Sequence, residues 1–172
     1  MIKDSSKNNH FANSNVRMFD RPYHKRGEAE TLKLRGNINI DPGAIVWTHD
    51  ESSSLVTRGE GRILIGQGSF LNCGIWIRAA ELVWIGANVL VGPRVMIMDN
   101  DAHEVGGNHH IGGSVSPVMI KDNAWLCAGA IILKGVTIGV RSVVGAGSVV
   151  THNVPDRVVV AGNPAKIIRR IE

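Results

Sequence analysis

The sequence predicts an all-β fold, a parallel β-helix built from six-residue repeats. Two observations support this. From residue 120 onward every sixth residue is aliphatic, and the fifth place of each repeat is small or aliphatic as well. A period of six does not match the three- and four-residue spacing of an amphipathic helix, but it suits a short strand followed by a corner. Three repeats would close one coil, and stacked coils would bury the aliphatic side chains along their axis. The positions are Ile120, Leu126, Ile132, Ile138, Val144 and Val150.

Residues 1–35 are predicted to form a basic N-terminal arm outside the coils. This segment holds eight Lys and Arg residues against four acids, whereas the rest of the chain holds eleven of each sign. A basic tail can contact nucleic acid or an anionic membrane face, but a solvated or docked arm is the simpler interpretation. We therefore predict no nucleic-acid partner.

The rest of the composition favours a cytoplasmic protein. No apolar run approaches the roughly 18 to 20 residues that span a membrane, so no stable membrane insertion is expected. The polar N-terminal stretch lacks the apolar segment of a signal peptide, and two cysteines do not make a disulfide framework.

The β-helix itself is predicted over residues 36–154. Before residue 120 the repeat appears at Ile40 and Val46, and again over 65–77 and 85–97 after a two-residue slip. It stops at Ile97 and resumes at Ile120, which predicts a loop over 98–119.

This loop begins MDNDAHEVGGNHHIGG, and long loops within compact domains are usually functional or disordered. His103 follows the last repeat closely, so the coil would position it to act as a general base. The neighbouring carboxylates of Asp99, Asp101 and Glu104 are predicted to orient its imidazole. His109 and His110 are interpreted as solvent-exposed.

Residues 155–172 leave the six-residue period. Residues 158–160 are predicted to form a short strand, followed by a turn at 162–164. Apolar residues at 165, 167, 168 and 171 are consistent with a short amphipathic helix over Ala165–Glu172 that caps the open end of the coils.

The tandem [Ile/Leu/Val]-Gly-x-x-x-x pattern over about residues 36–172 resembles the left-handed parallel β-helix of the hexapeptide acyltransferase superfamily. The segment VMIMDNDAHEV is similar to the histidine loop of sugar O-acetyltransferases of the galactoside and maltose type. The resemblance implies acetyl-CoA as co-substrate and no metal. It also implies direct transfer, with His103 as base, to a sugar hydroxyl of a glycan or polysaccharide precursor.

The resemblance also implies binding residues. The segments IKDNAWLCAGAIILKGVTIG and VVGAGSVVTHNVP are similar to the family's thioester groove, as is GNPAKIIRR. The implied donor contacts are backbone groups of Ala128 and Ala146 for the pantetheine arm, Thr151, Lys166 and Arg169 for the phosphates, Pro164 for the adenine, and Trp125 beside the groove.

For the acceptor, the resemblance implies that Asn72 contacts the sugar. The alternative for Asn72 is a structural asparagine at a β-helix corner. Relatives often have an acid a few residues later, where this chain has Arg78-Ala79-Ala80, so the acceptor stays open.

A homotrimer with active sites at subunit interfaces is implied by the same family. Four tryptophans fall on or near outward-facing positions, and exposed aromatic side chains of that size are typical of interfaces. They are Trp47, Trp76, Trp84 and Trp125.

Three other functions remain open. The acceptor can be an amine, as in N-acetyltransferases that act on amino sugars. A metal enzyme like the γ-class carbonic anhydrases needs three histidines from separate coils, whereas His103, His109 and His110 belong to one loop. A non-catalytic scaffold would need neither the donor segments nor the histidine loop.

Overall fold

The protein is a three-sided parallel β-helix. The computed structural model describes residues 17–18, 32–48, 51–104, 106–107 and 112–172. The strands in chain order are β1 (Arg17–Met18), β2 (Leu32–Arg35), β3 (Asn37–Ile40), β4 (Ile45–Val46), β5 (Ser53–Thr57), β6 (Arg62–Ile65), β7 (Phe70–Leu71), β8 (Trp76–Ala79), β9 (Leu82–Ile85), β10 (Leu90–Val91), β11 (Met96–Met98), β12 (Val118–Ile120), β13 (Trp125–Leu126), β14 (Ile131–Ile132), β15 (Thr137–Ile138), β16 (Val143–Val144), β17 (Val149–Val150), β18 (Val158–Gly162) and β19 (Ala165–Arg170).

Three sheets form the sides of the prism. Sheet 1 has the order β1-β3-β6-β9-β12-β15, sheet 2 the order β4-β7-β10-β13-β16-β18-β19, and sheet 3 the order β2-β5-β8-β11-β14-β17. From β3 to β17 the chain visits sheets 1, 2 and 3 in turn and then begins the next coil. The predicted all-β, left-handed parallel β-helix is confirmed.

The core is the predicted aliphatic ladder. All six aliphatic residues from Ile120 to Val150 are at most 1% exposed. The fifth place of these repeats is buried too, even where it is polar. Ser142, for example, donates a hydrogen bond from Oγ to the Pro155 carbonyl at 2.5 Å and accepts one from the Val158 amide at 3.2 Å. Buried hydroxyls with both roles satisfied fix the corners between sheets without a desolvation penalty.

The loop interrupts the chain without interrupting the stack. β11 ends at Met98 and β12 begins at Val118, close to the predicted bounds of 98 and 119. Across the break β11 still pairs with β14, and β9 still pairs with β12. His109 and His110 lie outside the described residues.

The predicted C-terminal helix is wrong. Ala165–Arg170 forms strand β19, which pairs antiparallel with β18 at the edge of sheet 2. Eight residues are too few for a stable isolated helix, and an unpaired strand edge offers backbone hydrogen bonds immediately. Ile167 and Ile168 are 53% and 63% exposed, so neither is buried as an amphipathic helix would require.

The predicted start of the β-helix at residue 36 is too late. β2 lies inside the segment predicted as an arm, yet it pairs with β5 over four residues. β1 also pairs with β3. The remainder of the predicted arm, residues 1–16 and 19–31, lies outside the described residues. Nowhere in the described ranges is there a helix long and apolar enough to cross a membrane.

Candidate active site

At the base of the loop, its two ends form a short antiparallel ribbon that is held by backbone hydrogen bonds at the corner between sheets 3 and 1. The Asp101 amide donates to the Ser114 carbonyl at 3.1 Å, and the Ser116 amide donates to the Asp99 carbonyl at 2.8 Å. An antiparallel bridge links Asn100 with Val115 between them. His103 follows this ribbon directly and is exposed, so its backbone leaves from a fixed point of the coil.

Asp99 supports this ribbon from inside the protein. Its side chain is completely buried, and its carboxylate accepts hydrogen bonds from the amides of Ala80, Glu81 and Leu82 at 2.7 to 3.0 Å. The Asn100 side-chain amide donates to it at 2.8 Å. The structure therefore does not bring Asp99 to the imidazole of His103. It makes Asp99 the group that joins the loop base to the preceding coil.

Asp101 fastens the loop base to the following coil. Its Oδ2 lies 2.8 Å from Lys134 Nζ and accepts a hydrogen bond from Ser114 Oγ at 2.7 Å. Gly113 packs so closely here that an added Cβ would clash with the His103 carbonyl oxygen. The contacts of Asp101 with Lys134 and Ser114 thus position the loop backbone. Glu104 is exposed beside His103, and its role stays a prediction.

Replacing Lys134 with methionine is expected to raise the pKa of Asp101. Lys134 first and Ser114 second hold that pKa below the ordinary 3.8 of an aspartate. A lowered pKa in the folded state contributes stability that is fully present above pH 3.8 and is lost as the pH falls through the lowered value. Carboxyl NMR titration of Asp101 checks this. The control Lys121→Met should leave Asp101 unchanged, and an unaltered Asp101 titration in Lys134→Met would contradict the assignment.

The predicted donor residues gather at a different corner, between sheets 2 and 3. Ala128 and Ala146 are exposed there on successive coils, and the Gly147 amide donates to the Ala128 carbonyl at 2.9 Å. The Ala128 amide and both backbone groups of Ala146 have no hydrogen-bond partner within the described part of the chain. An added Cβ on Gly147 would meet nothing within 4 Å. The corner is thus an open groove with unused backbone donors, which suits an extended amide-containing chain.

The C-terminal hairpin extends over this donor groove. The Gly162 amide donates to Ser148 Oγ at 3.1 Å, which places the turn before Ala165 beside the Ala146 corner. Pro164 is exposed on that turn, and Lys166 is exposed near the start of β19, where it pairs with Ala161. Arg169 lies farther along β19, paired with Val159. Positive charge near the end of the groove is what a phosphate-bearing ligand requires.

Other predicted residues lie elsewhere. Thr151 is at the corner between sheets 3 and 1, and its Oγ1 lies 2.8 Å from His152 Nδ1. Trp125 is 48% exposed on the outer face of sheet 2. Asn72 lies at the donor-side corner, where its side chain accepts a hydrogen bond from the Cys73 amide at 2.8 Å. That contact accounts for a structural role of the Asn72 side-chain oxygen, while the side-chain NH₂ group has no hydrogen-bond partner among the described residues.

Within one chain, His103 and the donor groove lie on opposite edges of sheet 3. One side of the prism is about six residues wide, roughly 15 to 20 Å at the usual rise of a strand. A general base must lie within hydrogen-bond reach of its proton donor. One subunit therefore does not assemble all of the predicted site residues in one place.

A cavity of about 560 Å³ lies next to the loop base, on the outer face of sheet 3. We call it the arginine cavity, because among the described residues its lining includes three arginines and no aspartate or glutamate. Sequence reasoning did not assemble this site. The signal was present in the coil spacing, since Arg35, Val56, Arg78 and Met98 are successive register partners. Its lining includes Arg35, Arg58, Trp76, Arg78, Asn100 and Ala102.

The two cysteines, Cys73 and Cys127, do not form an alternative catalytic centre to His103. Both are free, and burial raises the pKa of the Cys127 thiol, which keeps it protonated at neutral pH. No group of three or more potential metal ligands is found among the residues that the structure describes.

Comparison with known sequences gives a consistent result. Residues 117–152 match the family model described as bacterial transferase hexapeptide (six repeats). The chain is 34% identical over 158 residues to a predicted acetyltransferase of Schizosaccharomyces pombe, covering 85% of this chain and 72% of that protein. It is 39% identical over 111 residues to galactoside O-acetyltransferase of Escherichia coli, covering 63% of this chain and 54% of that enzyme. The chain thus spans about half the length of the latter.

A shorter match concerns a different acetyltransferase. The chain is 54% identical over 59 residues to a 2,3,4,5-tetrahydropyridine-2,6-dicarboxylate N-acetyltransferase of Clostridium perfringens, covering 34% of this chain and 25% of that enzyme.

Solved structures resemble this one over most of its length. A galactoside acetyltransferase in complex with coenzyme A is 31% identical with a TM-score of 0.68, covering 83% of this chain and 65% of that chain. A maltose O-acetyltransferase from Clostridium difficile is 30% identical with a TM-score of 0.61, covering 81% and 70%.

Proposed function

Since the chain belongs to the hexapeptide-repeat acetyltransferases, we propose that it transfers the acetyl group of acetyl-CoA to a hydroxyl of a sugar, in a glycan or polysaccharide precursor. The observation that carries this proposal is the pairing of an open donor groove at Ala128 and Ala146 with a histidine on a fixed loop base. The two relatives of known structure named above act on galactosides and maltose, which favours a sugar acceptor.

His103 is the general base of the proposed reaction. It accepts the proton of the acceptor hydroxyl while that oxygen bonds to the thioester carbonyl carbon. The tetrahedral oxyanion collapses, the carbon–sulfur bond breaks, and His103 returns the proton to the leaving thiolate. Exposed backbone amides at the groove, such as that of Ala128, are suited to stabilise the oxyanion. Lys166 and Arg169 bind the phosphates of the donor.

The test is a screen of acceptors with isotopically labelled acetyl-CoA. Mass spectrometry is expected to find a product that gains one labelled acetyl group from a sugar acceptor. Calorimetric titration without acceptor measures donor binding separately. A protein that does not bind acetyl-CoA would refute the proposal.

We propose a homotrimer in which each site combines the His103 loop of one subunit with the donor groove of its neighbour. In such a trimer His103 of one subunit can lie beside the donor groove of another, although within one chain the two are separated by the width of sheet 3. An apolar ladder on the outer face of sheet 2 supports an interface: Phe70, Leu90, Trp125 and Val143 are successive register partners. Leu90 and Trp125 are 49% and 48% exposed, and neighbouring exposed apolar side chains of this size are typical of interfaces.

Mixed trimers of two inactive variants are expected to regain activity. One variant is His103→Ala, and the other is Ala146→Trp, which fills the donor groove. In a cyclic trimer that contains both variants, one of the three sites has an intact histidine and an intact groove, so about a third of wild-type activity returns. Co-expression with two affinity tags isolates these trimers. Inactive mixed trimers would place the whole site within one subunit.

An N-acetyltransferase is the second candidate. The 54% identity over 59 residues with the Clostridium perfringens enzyme favours it. The same acceptor screen separates the two functions when matched sugars and amino sugars are compared, because an amide product resists mild alkaline hydrolysis and an ester does not.

A further inference from the structure

The arginine cavity is the strongest unexplained feature outside the donor groove. Three guanidinium groups line it, and none of the lining residues that the structure describes carries a negative charge. Arg35 and Arg78 lie in one outward row of sheet 3 with Val56 between them, so their Cα atoms are about 10 Å apart at the usual strand spacing. Arg58 stands at the corner where β5 ends.

Arg78 is held in a fixed orientation. Its guanidinium lies 4.1 Å from the centroid of the Trp76 ring, and its Nη1 donates to the carbonyls of Ser54 and Ile77 at 3.1 and 3.0 Å. These contacts leave the Nε–H and both Nη2–H donors. That edge of a guanidinium forms two parallel hydrogen bonds to a carboxylate or a phosphate.

Arg78 has no carboxylate partner among the residues that the structure describes. It is half-buried, and its contacts within the described ranges are to carbonyls and an aromatic ring, with no carboxylate among them. Burial lowers the pKa of its guanidinium, which reflects the cost of removing the charge from water without a paired anion. A bound anion would offset that cost.

The cavity adjoins the catalytic loop. Asn100 and Ala102 line it, and His103 is the next residue. The Ala102 amide is held by the Asn100 side chain at 3.0 Å, so this wall of the cavity is fixed. A molecule with an anionic group on Arg78 would extend along this wall toward His103.

We propose that the acetyl acceptor is anionic, and that its carboxylate or phosphate binds the arginine cavity through Arg78, with Arg35 and Arg58 adding positive charge. This rests on the proposed acetyl transfer, because it specifies the acceptor of that reaction. It identifies acidic sugars or sugar phosphates as the substrate class, in contrast to neutral sugars.

Binding of three ligands to the wild-type protein tests the proposal. The ligands are methyl glucuronide, methyl glucoside and glucose 1-phosphate, titrated by calorimetry and followed by tryptophan emission, which Trp76 beside Arg78 would report. The carboxylate or the phosphate is expected to bind about ten- to a hundredfold more tightly than the neutral glucoside, as for hydrogen bonds to charged groups. The carboxylate and phosphate arms identify which anion the cavity prefers. Equal binding of all three, or no binding of either anion, would overturn the proposal.

Two variants assign the effect to the cavity. Arg78→Gln is expected to lose at least about tenfold of the preference for the anion, because the amide keeps two hydrogen-bonding atoms but no charge. Arg62→Gln is the matched control, since Arg62 is exposed at the start of β6 on the neighbouring sheet and does not line the cavity. A preference that survives Arg78→Gln, or falls equally in Arg62→Gln, would overturn the proposal.

Donor binding separates this proposal from the proposed function. Acetyl-CoA is titrated into the same wild-type sample. If acetyl-CoA binds and neutral acceptors are preferred, only the anionic acceptor is refuted. If the anion binds and acetyl-CoA does not, the acetyltransferase assignment is refuted, and with it the identification of the anion as an acetyl acceptor.

Discussion

Replacing His103 with alanine is expected to lower kcat for acetyl transfer by about 10² to 10⁴, the usual contribution of a general base. The dissociation constant of acetyl-CoA should stay within about twofold, because His103 accepts the proton of the acceptor hydroxyl and is not among the residues proposed to bind the donor. Steady-state kinetics and calorimetry on the same preparation measure both quantities.

Two controls define what the loss in His103→Ala means. His103→Asn keeps a polar side chain but provides no base, so it should lose as much activity as the alanine variant. The rise of kcat/KM with pH that a general base produces should disappear in both variants. Turnover near the wild-type rate in either variant would remove His103 from the mechanism.

Replacing Asp99 with asparagine is expected to lower the free energy of unfolding by about 1 to 3 kcal/mol for each buried N–H group that loses its acceptor. The carboxylate accepts four backbone hydrogen bonds from three consecutive residues, Ala80, Glu81 and Leu82. The isosteric amide presents an NH₂ donor to some of these N–H groups and leaves them without an acceptor.

Urea denaturation at a fixed protein concentration measures the change in Asp99→Asn. Asp101→Asn is the matched control, because Asp101 is a partly exposed carboxylate of the same ribbon with an ion pair to Lys134. Ion pairs near the surface contribute little, so the control should change stability much less. Equal losses in the two variants would show that Asp99 does not hold the corner together.

The repeat in the sequence was sufficient to predict the three-sided parallel coil, because one side-chain pattern serves every coil, whereas the left-handedness followed only from the family resemblance. Each residue from Ile120 to Val150 in steps of six is buried, as the period requires. Asp99 lies two residues after Ile97, so its position fits the inward-facing pattern of the strand. In the sequence, however, a carboxylate at this position indicates the start of a loop and not a buried residue. Its partners at residues 80–82 belong to the previous coil, so only the structure brings them together.

The C-terminal error has a similar origin. The apolar spacing of residues 165–171 fits a helix, but the spacing carries no information about the free edge of β18 that captures the segment as a strand. The arginine cavity was missed for a related reason. Arg35, Arg58 and Arg78 are each about one coil apart in the sequence, so their proximity becomes visible only once the strands are in register.

The hydrogen bond between the Ser116 amide and the Asp99 carbonyl closes the histidine segment on itself where it leaves the stack. The two ends of this segment lie next to each other, and β11 and β12 on either side of it pair with their neighbouring strands as in an uninterrupted stack. Lengthening such an excursion costs only about 0.6 kcal/mol for each doubling. A segment of this kind can vary without altering the stacked coils, so proteins that share this scaffold are free to differ in the length of the histidine loop.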